Sequence, residues 1–336
     1  MLIKKDVCII IPTYNRPKDL EVTIKAIINR GNMPGKIVVL DQSKNDESKK
    51  MLSKYINENK FIQYRHFKVA GTNLSLNAGI DIVKKEKFKI LCIMADDVEV
   101  LEGFLDKILR EFNEHKEVMG VGSVQIGESF NYSTLKFKLK KIFLNFFLLP
   151  SEEDHKFRVS GPYGNTTTPD VKRDVRDCQW LPGFTTSHRI EIFDNYRIPD
   201  RIGYDVIEDI DIGYYTYRMY GKGSLVIPKD LRVYHHYSKV ERYADRKRIF
   251  VNHEDHFAFY YRHFYNLTGT LKFIWEIFWI AILNIIRAFT RPKKDNFLKV
   301  VYLWQALSYC IKYREEIKRG KSRMFLNPDL SMNKEF

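Results

Sequence analysis

The chain has 336 residues, 44% of them hydrophobic and 14% aromatic, which is enough to bury a large core and excludes a disordered class. Its net charge of +14 calls for an anionic partner, and residues 287–323 alone hold eleven Lys or Arg against three acids, +8 of that total. No internal repeat, low-complexity stretch or Pro/Gly-rich linker interrupts it, which excludes a repeat array and a loosely tethered pair of domains.

In chain order, residues 1–6 carry no basic leader with a long apolar core, because the apolar run 7–11 stops at Pro12, so the expectation is a cytoplasmic chain. Val7-Cys8-Ile9-Ile10-Ile11, Ile37-Val38-Val39-Leu40 and Ile90-Leu91-Cys92-Ile93-Met94 are unbroken apolar runs, as expected of parallel strands covered on both faces. Between and after them, Leu20, Ile24, Ile27 and Ile28, then Met51, Leu52, Tyr55 and Ile56, then Phe104, Leu105, Ile108, Leu109 and Phe112 recur at the helical period. The alternation predicts an α/β sheet flanked by helices. Past residue 118 the pattern predicts a strand over 118–126, an irregular stretch, a helix over 209–220, strands over 224–227 and 231–235, and helix from about 245 onward. Cys8, Cys92, Cys178 and Cys310 are widely spaced without a Cys-x-x-Cys pair, which predicts buried reduced thiols.

Ligands of parallel α/β sheets bind outside the carboxyl ends of the strands. Those ends read Pro12-Thr13-Tyr14-Asn15-Arg16, Asp41-Gln42-Ser43 and Ala95-Asp96-Asp97. An Asp pair there suits a divalent cation held against a diphosphate, and it equally suits a turn. Glu208-Asp209-Ile210-Asp211 opens a predicted helix, where a carboxylate serves as a general base or simply favours the helix dipole. His235-His236 ends the last strand, where imidazole either ligates a metal or is structural. His253, His256 and His263, among Phe and Tyr with no acidic or cysteine partner at ligand spacing, read as structural.

Taken together and in order, these segments resemble glycosyltransferase family 2, over roughly residues 6–240. Ile10-Ile11-Pro12-Thr13-Tyr14-Asn15-Arg16 resembles its opening strand and turn, and Val38-Val39-Leu40-Asp41-Gln42-Ser43 its second. Asn73-Leu74-Ser75-Leu76-Asn77-Ala78-Gly79 resembles its Asn-x-Gly segment, Met94-Ala95-Asp96-Asp97 its Asp-x-Asp motif, and Trp180 to Thr185 with Glu208-Asp209-Ile210-Asp211 its acceptor-side motifs. The resemblance implies a GT-A fold, Rossmann-like with a mixed, mostly parallel sheet, over 1–244, followed by a helical, basic, membrane-associating extension over 245–336. It further implies Pro12, Thr13, Tyr14, Asn15, Asp41, Asn77 and Asp96 as nucleotide contacts, Asp97 and His235 on Mn2+ or Mg2+, Asp209 as base beside Glu208, and Trp180, Gly183 and Phe184 at the sugar and acceptor. The reaction implied is inverting transfer from a nucleotide-diphosphate sugar, UDP or dTDP being favoured because an imide N–H suits Asp41. Three positions depart from the family pattern: Ala95 replaces the acid that often opens the metal triplet, Tyr215 stands where an Arg is usual with Arg218 a turn later, and two histidines compete for one ligand position. His235 is preferred because Ser238 follows it at the familiar spacing.

Residues 273–286 are apolar except for Glu276 and Asn284, short of the roughly 20 residues a span needs, and are flanked by basic residues. An interfacial helix on an anionic membrane and a core helix both fit this stretch. Leu298, Val301, Trp304, Leu307 and Ile311 mark one face of a following helix that can pack on the first. Lys136 to Leu149 mixes lysines with Phe and Leu and reads as the acceptor border or a buried helix. These features predict peripheral attachment to the inner face of the cell membrane and a glycan or lipid-linked acceptor, with no nucleic acid. Without a Gln-x-x-Arg-Trp motif the transfer reads as non-processive. The competing readings are a sugar nucleotidyltransferase of related fold, which would open on a glycine-rich loop, and a non-catalytic membrane or nucleic-acid binding protein, which leaves the acidic motifs unexplained.

Overall fold

The computed structural model describes residues 1–68, 71–126, 135–152, 155–167, 171–199, 207–238 and 245–320, the side chains of residues 136, 137 and 245 excepted. Three parallel strands, β1 (Val7–Thr13), β2 (Lys36–Asp41) and β3 (Ile62–His66), alternate with helices α1 (Pro17–Asn29), α2 (Glu47–Glu58) and α3 (Thr72–Lys85). β4 (Ile90–Met94) pairs parallel on the other side of β1, followed by the short β5 (Val98–Val100) and α4 (Phe104–Glu114). Every residue of β4, and six of the seven in β1, is buried, as the unbroken apolar runs require. The faces predicted for α1 and α4 are the ones they bury.

The next segment departs from expectation. One strand over 118–126 was predicted, but the chain breaks at the buried Ser123 into β6 (Gly120–Gly122) and β7 (Val124–Gln125), which join different sheets. After α5 (Leu135–Phe146) and the small hairpin β8 (Arg158–Val159) and β9 (Thr166–Thr167) comes β10 (Thr185–Arg189), inserted antiparallel between β4 and β6. α6 (Glu208–Tyr220) leads to β11 (Leu225–Val226) and β12 (Arg232–His235). The main sheet thus runs β11-β6-β10-β4-β1-β2-β3, and β5-β12-β7 form a second, three-stranded sheet. This is a mixed α/β architecture with a mostly parallel central sheet covered by helices.

The remainder is helical: α7 (Asp245–His263), α8 (Leu267–Thr290), α9 (Lys294–Lys312) and α10 (Arg314–Lys318). Residues 321–336, including the Lys321 and Arg323 of the basic segment, and the expected domain boundary at 244 lie outside the described residues. α7 is closely integrated with the first part of the chain. The buried Asp211 of α6 accepts hydrogen bonds from Arg262 and from His263, while Arg218 donates to the His263 carbonyl at 2.8 Å.

α8 is longer than the predicted 273–286 stretch, because Asn266 caps it by accepting from the Gly269 amide at 2.9 Å and both flanking cations lie inside it. Among the described residues it is long and apolar enough to cross a membrane. Its Glu276 turns inward, fully buried, and accepts from the Tyr163 amide at 2.8 Å and from Asn165 at 3.4 Å. Burial raises that carboxyl to about 8 against the opposing pull of those donors. α9 buries Leu303, Ala306, Leu307 and Cys310, so the predicted packing face was wrong except at Leu307, and Val301, Trp304 and Ile311 point outward. All four cysteines are buried and free. His253 is buried and His256 half-buried, desolvation depresses them to about 4 and about 3, and no cluster of three metal-ligating side chains exists among the described residues.

Candidate active site

Parallel pairing of β2, β1 and β4 brings their carboxyl ends to one edge, with Thr13 directly opposite Asp41 in register. Just beyond, Thr13 donates to Asp96 Oδ2 at 2.7 Å and Arg16 reaches Asp96 Oδ1 at 3.3 Å. Thr23 of α1 clamps the turn itself, donating to the Asp96 carbonyl at 2.9 Å and accepting from the Val98 amide at 3.1 Å. Asn15 adopts a left-handed φ of 54°, which Asn tolerates well, and its backbone and side chain bond Ser43 Oγ and the Lys44 amide. Pro12 and Tyr14 are half-buried at the same turn.

Antiparallel pairing of β12 with β5 sets His235 opposite Val98, so its ring arrives beside Asp97. His235 Nε2 lies 3.2 Å from Asp97 Oδ1, and the Ser238 amide donates to Asp97 Oδ2 at 2.8 Å. The His236 ring points elsewhere, to Glu99 Oε2 at 3.3 Å.

The two aspartates are tuned in opposite directions. Burial raises Asp96 to about 6, against the pull of Arg16 and Thr13. Burial also works to raise Asp97, but His235, the Ser238 amide and Arg16 outweigh it and hold the carboxyl below its ordinary value. An ionised carboxylate beside an imidazole is a hard-oxygen and borderline-nitrogen pair that suits Mn2+ better than Mg2+. His235 Nδ1 is buried with no hydrogen-bond partner among the described residues, so the Asp97 carboxylate at Nε2 is the polar group that orients the ring. Two protein donors fit a divalent ion that also takes oxygens from a diphosphate and water.

Asp209 approaches this pair through two consecutive residues. Its carboxylate lies over Gly183, where a Cβ would come within 2.7 Å of Oδ2, and the adjacent Phe184 places its ring 5.2 Å from His235. α6 gets close enough because Gly213 leaves no Cβ to collide with Trp180, where one would sit 2.5 Å from Cα. Glu208 is half-buried in the same first turn.

Other predicted site residues sit deeper. Asp41 is fully buried with both oxygens engaged, by the Ser43 amide and the Tyr64 hydroxyl, each at 2.8 Å. Asn77 is buried and donates to the Ile198 carbonyl at 2.8 Å, tying α3 to the 198–199 segment, as Asn73 does at Pro199. Trp180 is a core residue packed on Phe157. Arg16, Thr23 and Tyr64 escaped the sequence reading; Arg16 stands inside the quoted opening motif, while nothing near Thr23 or Tyr64 marks them.

Residues 8–164 match the family model for glycosyl transferase family 2. Over 109 residues it is 30% identical to the GalNAc(5)-diNAcBac-PP-undecaprenol beta-1,3-glucosyltransferase of Campylobacter jejuni, covering 32% of this chain and about a third (34%) of that protein. In fold it is similar to S. aureus TarS 1-349 in complex with UDP-GlcNAc, with a TM-score of 0.55, 13% identity, and 97% of this chain and 86% of that one covered. It is also similar to the mannosyltransferase PcManGT of Pyrobaculum calidifontis in complex with GDP-Man and Mn2+, at TM-score 0.51 and 14% identity over 91% and 87% of the two chains. The central sheet and its helices are therefore those of GT-A glycosyltransferases.

Proposed function

We propose that this protein transfers one sugar per encounter, with inversion, from a nucleotide-diphosphate sugar to a hydroxyl of a lipid-linked or glycan acceptor. The reading places the reaction at the cytoplasmic face of the membrane, with 1–244 as the catalytic domain and 245–336 as its attachment. One observation carries it: Gly183 and Phe184 join the Asp209 carboxylate to the Asp97–His235 pair. A proton acceptor and a pair able to hold a cation, each against one of two consecutive residues, are what displacement of a nucleoside diphosphate by a hydroxyl needs.

In this reading Asp97 and His235 would hold Mn2+ or Mg2+, which would supply charge neutralisation for a diphosphate leaving group. Asp209 takes the proton from the acceptor hydroxyl as it attacks the anomeric carbon opposite the diphosphate. Attack from that face inverts the centre with no covalent sugar on the protein. Asp96, held by Thr13 and Arg16, faces the ribose, and the turn formed by Pro12, Thr13, Tyr14 and Asn15 borders the nucleotide. Asp41 and Asn77 act by shaping that wall from beneath. Support for the acceptor class comes from the Campylobacter relative, whose substrate is undecaprenol-linked. Support for the metal is the donor pair itself, and the Mn2+ in the mannosyltransferase of the same fold agrees with it.

The test is product analysis with the full chain, Mn2+, a panel of nucleotide sugars and membrane extract as acceptor source. Free nucleoside diphosphate should appear together with a glycosylated lipid or glycan. Asp209→Asn should cut turnover by on the order of 1000-fold while nucleotide binding persists. Pyrophosphate as product would sink the reading in favour of nucleotidyl transfer, and wild-type turnover by Asp209→Asn would remove Asp209 as base.

A further inference from the structure

The membrane attachment proposed above raises the question of which surface makes it, and the structure answers with a helix outside the C-terminal extension. In α5, Leu139, Ile142 and Phe146 are 59%, 66% and 67% exposed, and their spacing puts them on one face. In α8, Leu271, Ile274, Phe278 and Phe289 are also exposed at helical spacing. The two faces are continuous. Phe146 meets Trp275 edge-on at 5.8 Å, and the Trp275 indole N–H donates to the Phe146 carbonyl at 3.1 Å. At the other end Phe289 meets Phe297 at 5.9 Å, which carries the patch onto the outward Val301 and Trp304 of α9.

The charges around this patch are mostly positive, with the exposed Asp295 at the start of α9 opposing them. α5 contains no acid, and its Lys138 and Lys140 are exposed. Between residues 267 and 294 the sole acid is Glu276, which is buried against the 161–165 loop, whereas Lys272, Arg287, Arg291, Lys293 and Lys294 are exposed. An apolar face rimmed by exposed cations fits a bilayer with anionic headgroups, where the rings enter the acyl boundary and the cations stay at headgroup level.

We infer that α5 and α8, extended by the start of α9, form a single face that lies in the plane of an anionic leaflet. α5 is the contribution from the catalytic half. Two features hold α8 in plane although its 24 residues reach about 36 Å. Glu276 is bonded to the domain, with Gly161 leaving no room between them, and Phe273 stacks on Tyr260 at 4.0 Å. A spanning α8 would have to abandon both. β7, which precedes α5 in the chain, pairs with β12, the strand that carries His235.

The inference rests on the proposed membrane attachment and not on the chemistry, so its test needs no turnover. The full chain is sedimented with vesicles of phosphatidylcholine alone and with vesicles that also contain phosphatidylglycerol, at low and high salt. Binding is expected to the anionic vesicles only, to weaken with salt, and to be released by alkaline carbonate. Leu139→Glu with Ile142→Glu should weaken that binding at least tenfold while the thermal unfolding midpoint stays near wild type. Should that pair unfold the chain, Lys138→Glu with Lys140→Glu supplies the same reading through charge. Wild-type vesicle binding by folded α5 variants would overturn the inference, as would protein retained in the bilayer after carbonate. Absence of vesicle binding with elution as a dimer that the α5 variants disrupt would assign the face to a second copy of the chain and overturn it too. A chain that binds vesicles as expected but transfers no sugar would refute the proposed function alone.

Discussion

Asp96 and Asp97 are neighbours in sequence, yet their side chains meet different surroundings: Thr13 and Arg16 around the first, His235 and the Ser238 amide around the second. The pair was legible in the sequence because it stands at a strand end, and His235 because it ends another apolar run. Thr23 and Tyr64 were not legible, since each acts through a hydrogen bond to a residue remote in sequence and neither carries a local pattern. Trp180, expected at the sugar and acceptor, is buried in the core under α6. Gly183 yields the sharpest prediction at this scale. A methyl group there would crowd Asp209 Oδ2, so Gly183→Ala should lower kcat by roughly tenfold or more with little change in donor KM. Steady-state kinetics over donor concentration checks this, and an unchanged kcat would mean that Asp209 does not work from that position.

At the level of elements, helices whose apolar faces meet the sheet were readable, and those whose faces meet nothing in this chain were not. α1 and α4 bury the stripes their periodicity marks. α9 buries 303, 306, 307 and 310 and exposes Val301 and Trp304, because periodicity shows that a face is apolar without showing what covers it. α8 was read short because Lys272 and Arg287 looked like boundaries, while the Asn266 cap sets its start. The joint between α6 and α7 was invisible in sequence, 51 residues separating Asp211 from Arg262. Arg262→Met deprives a buried carboxylate of a charged hydrogen bond and should cost about 2 kcal/mol in urea unfolding. Stability equal to wild type would mean that His263 alone suffices for Asp211.

For the whole molecule, the pH dependence of stability carries a signature of how α8 is seated. The Glu276 carboxyl sits at about 8 when folded, above its ordinary value of 4.5. Below 4.5 both states are protonated and the group is neutral in its effect. Between there and about 8 the unfolded chain releases the proton and the folded one keeps it, so stability drains away as pH rises. Glu276→Gln should therefore gain thermal stability relative to wild type steadily from pH 5 to 8, and parallel melting curves across that range would show that Glu276 leaves its pocket.

The peptide unit joining Gly183 to Phe184 has a consequence for how variants combine. One residue lies under the carboxylate of α6 and the next against the ring of β12, so a shift in that backbone moves both neighbours together. Losses at the two ends should then fail to add. In a double-mutant cycle, Gly183→Ala with His235→Ala should cost less in kcat/KM than the product of the single effects, which makes the cycle a ruler for how rigidly the crevice is hinged.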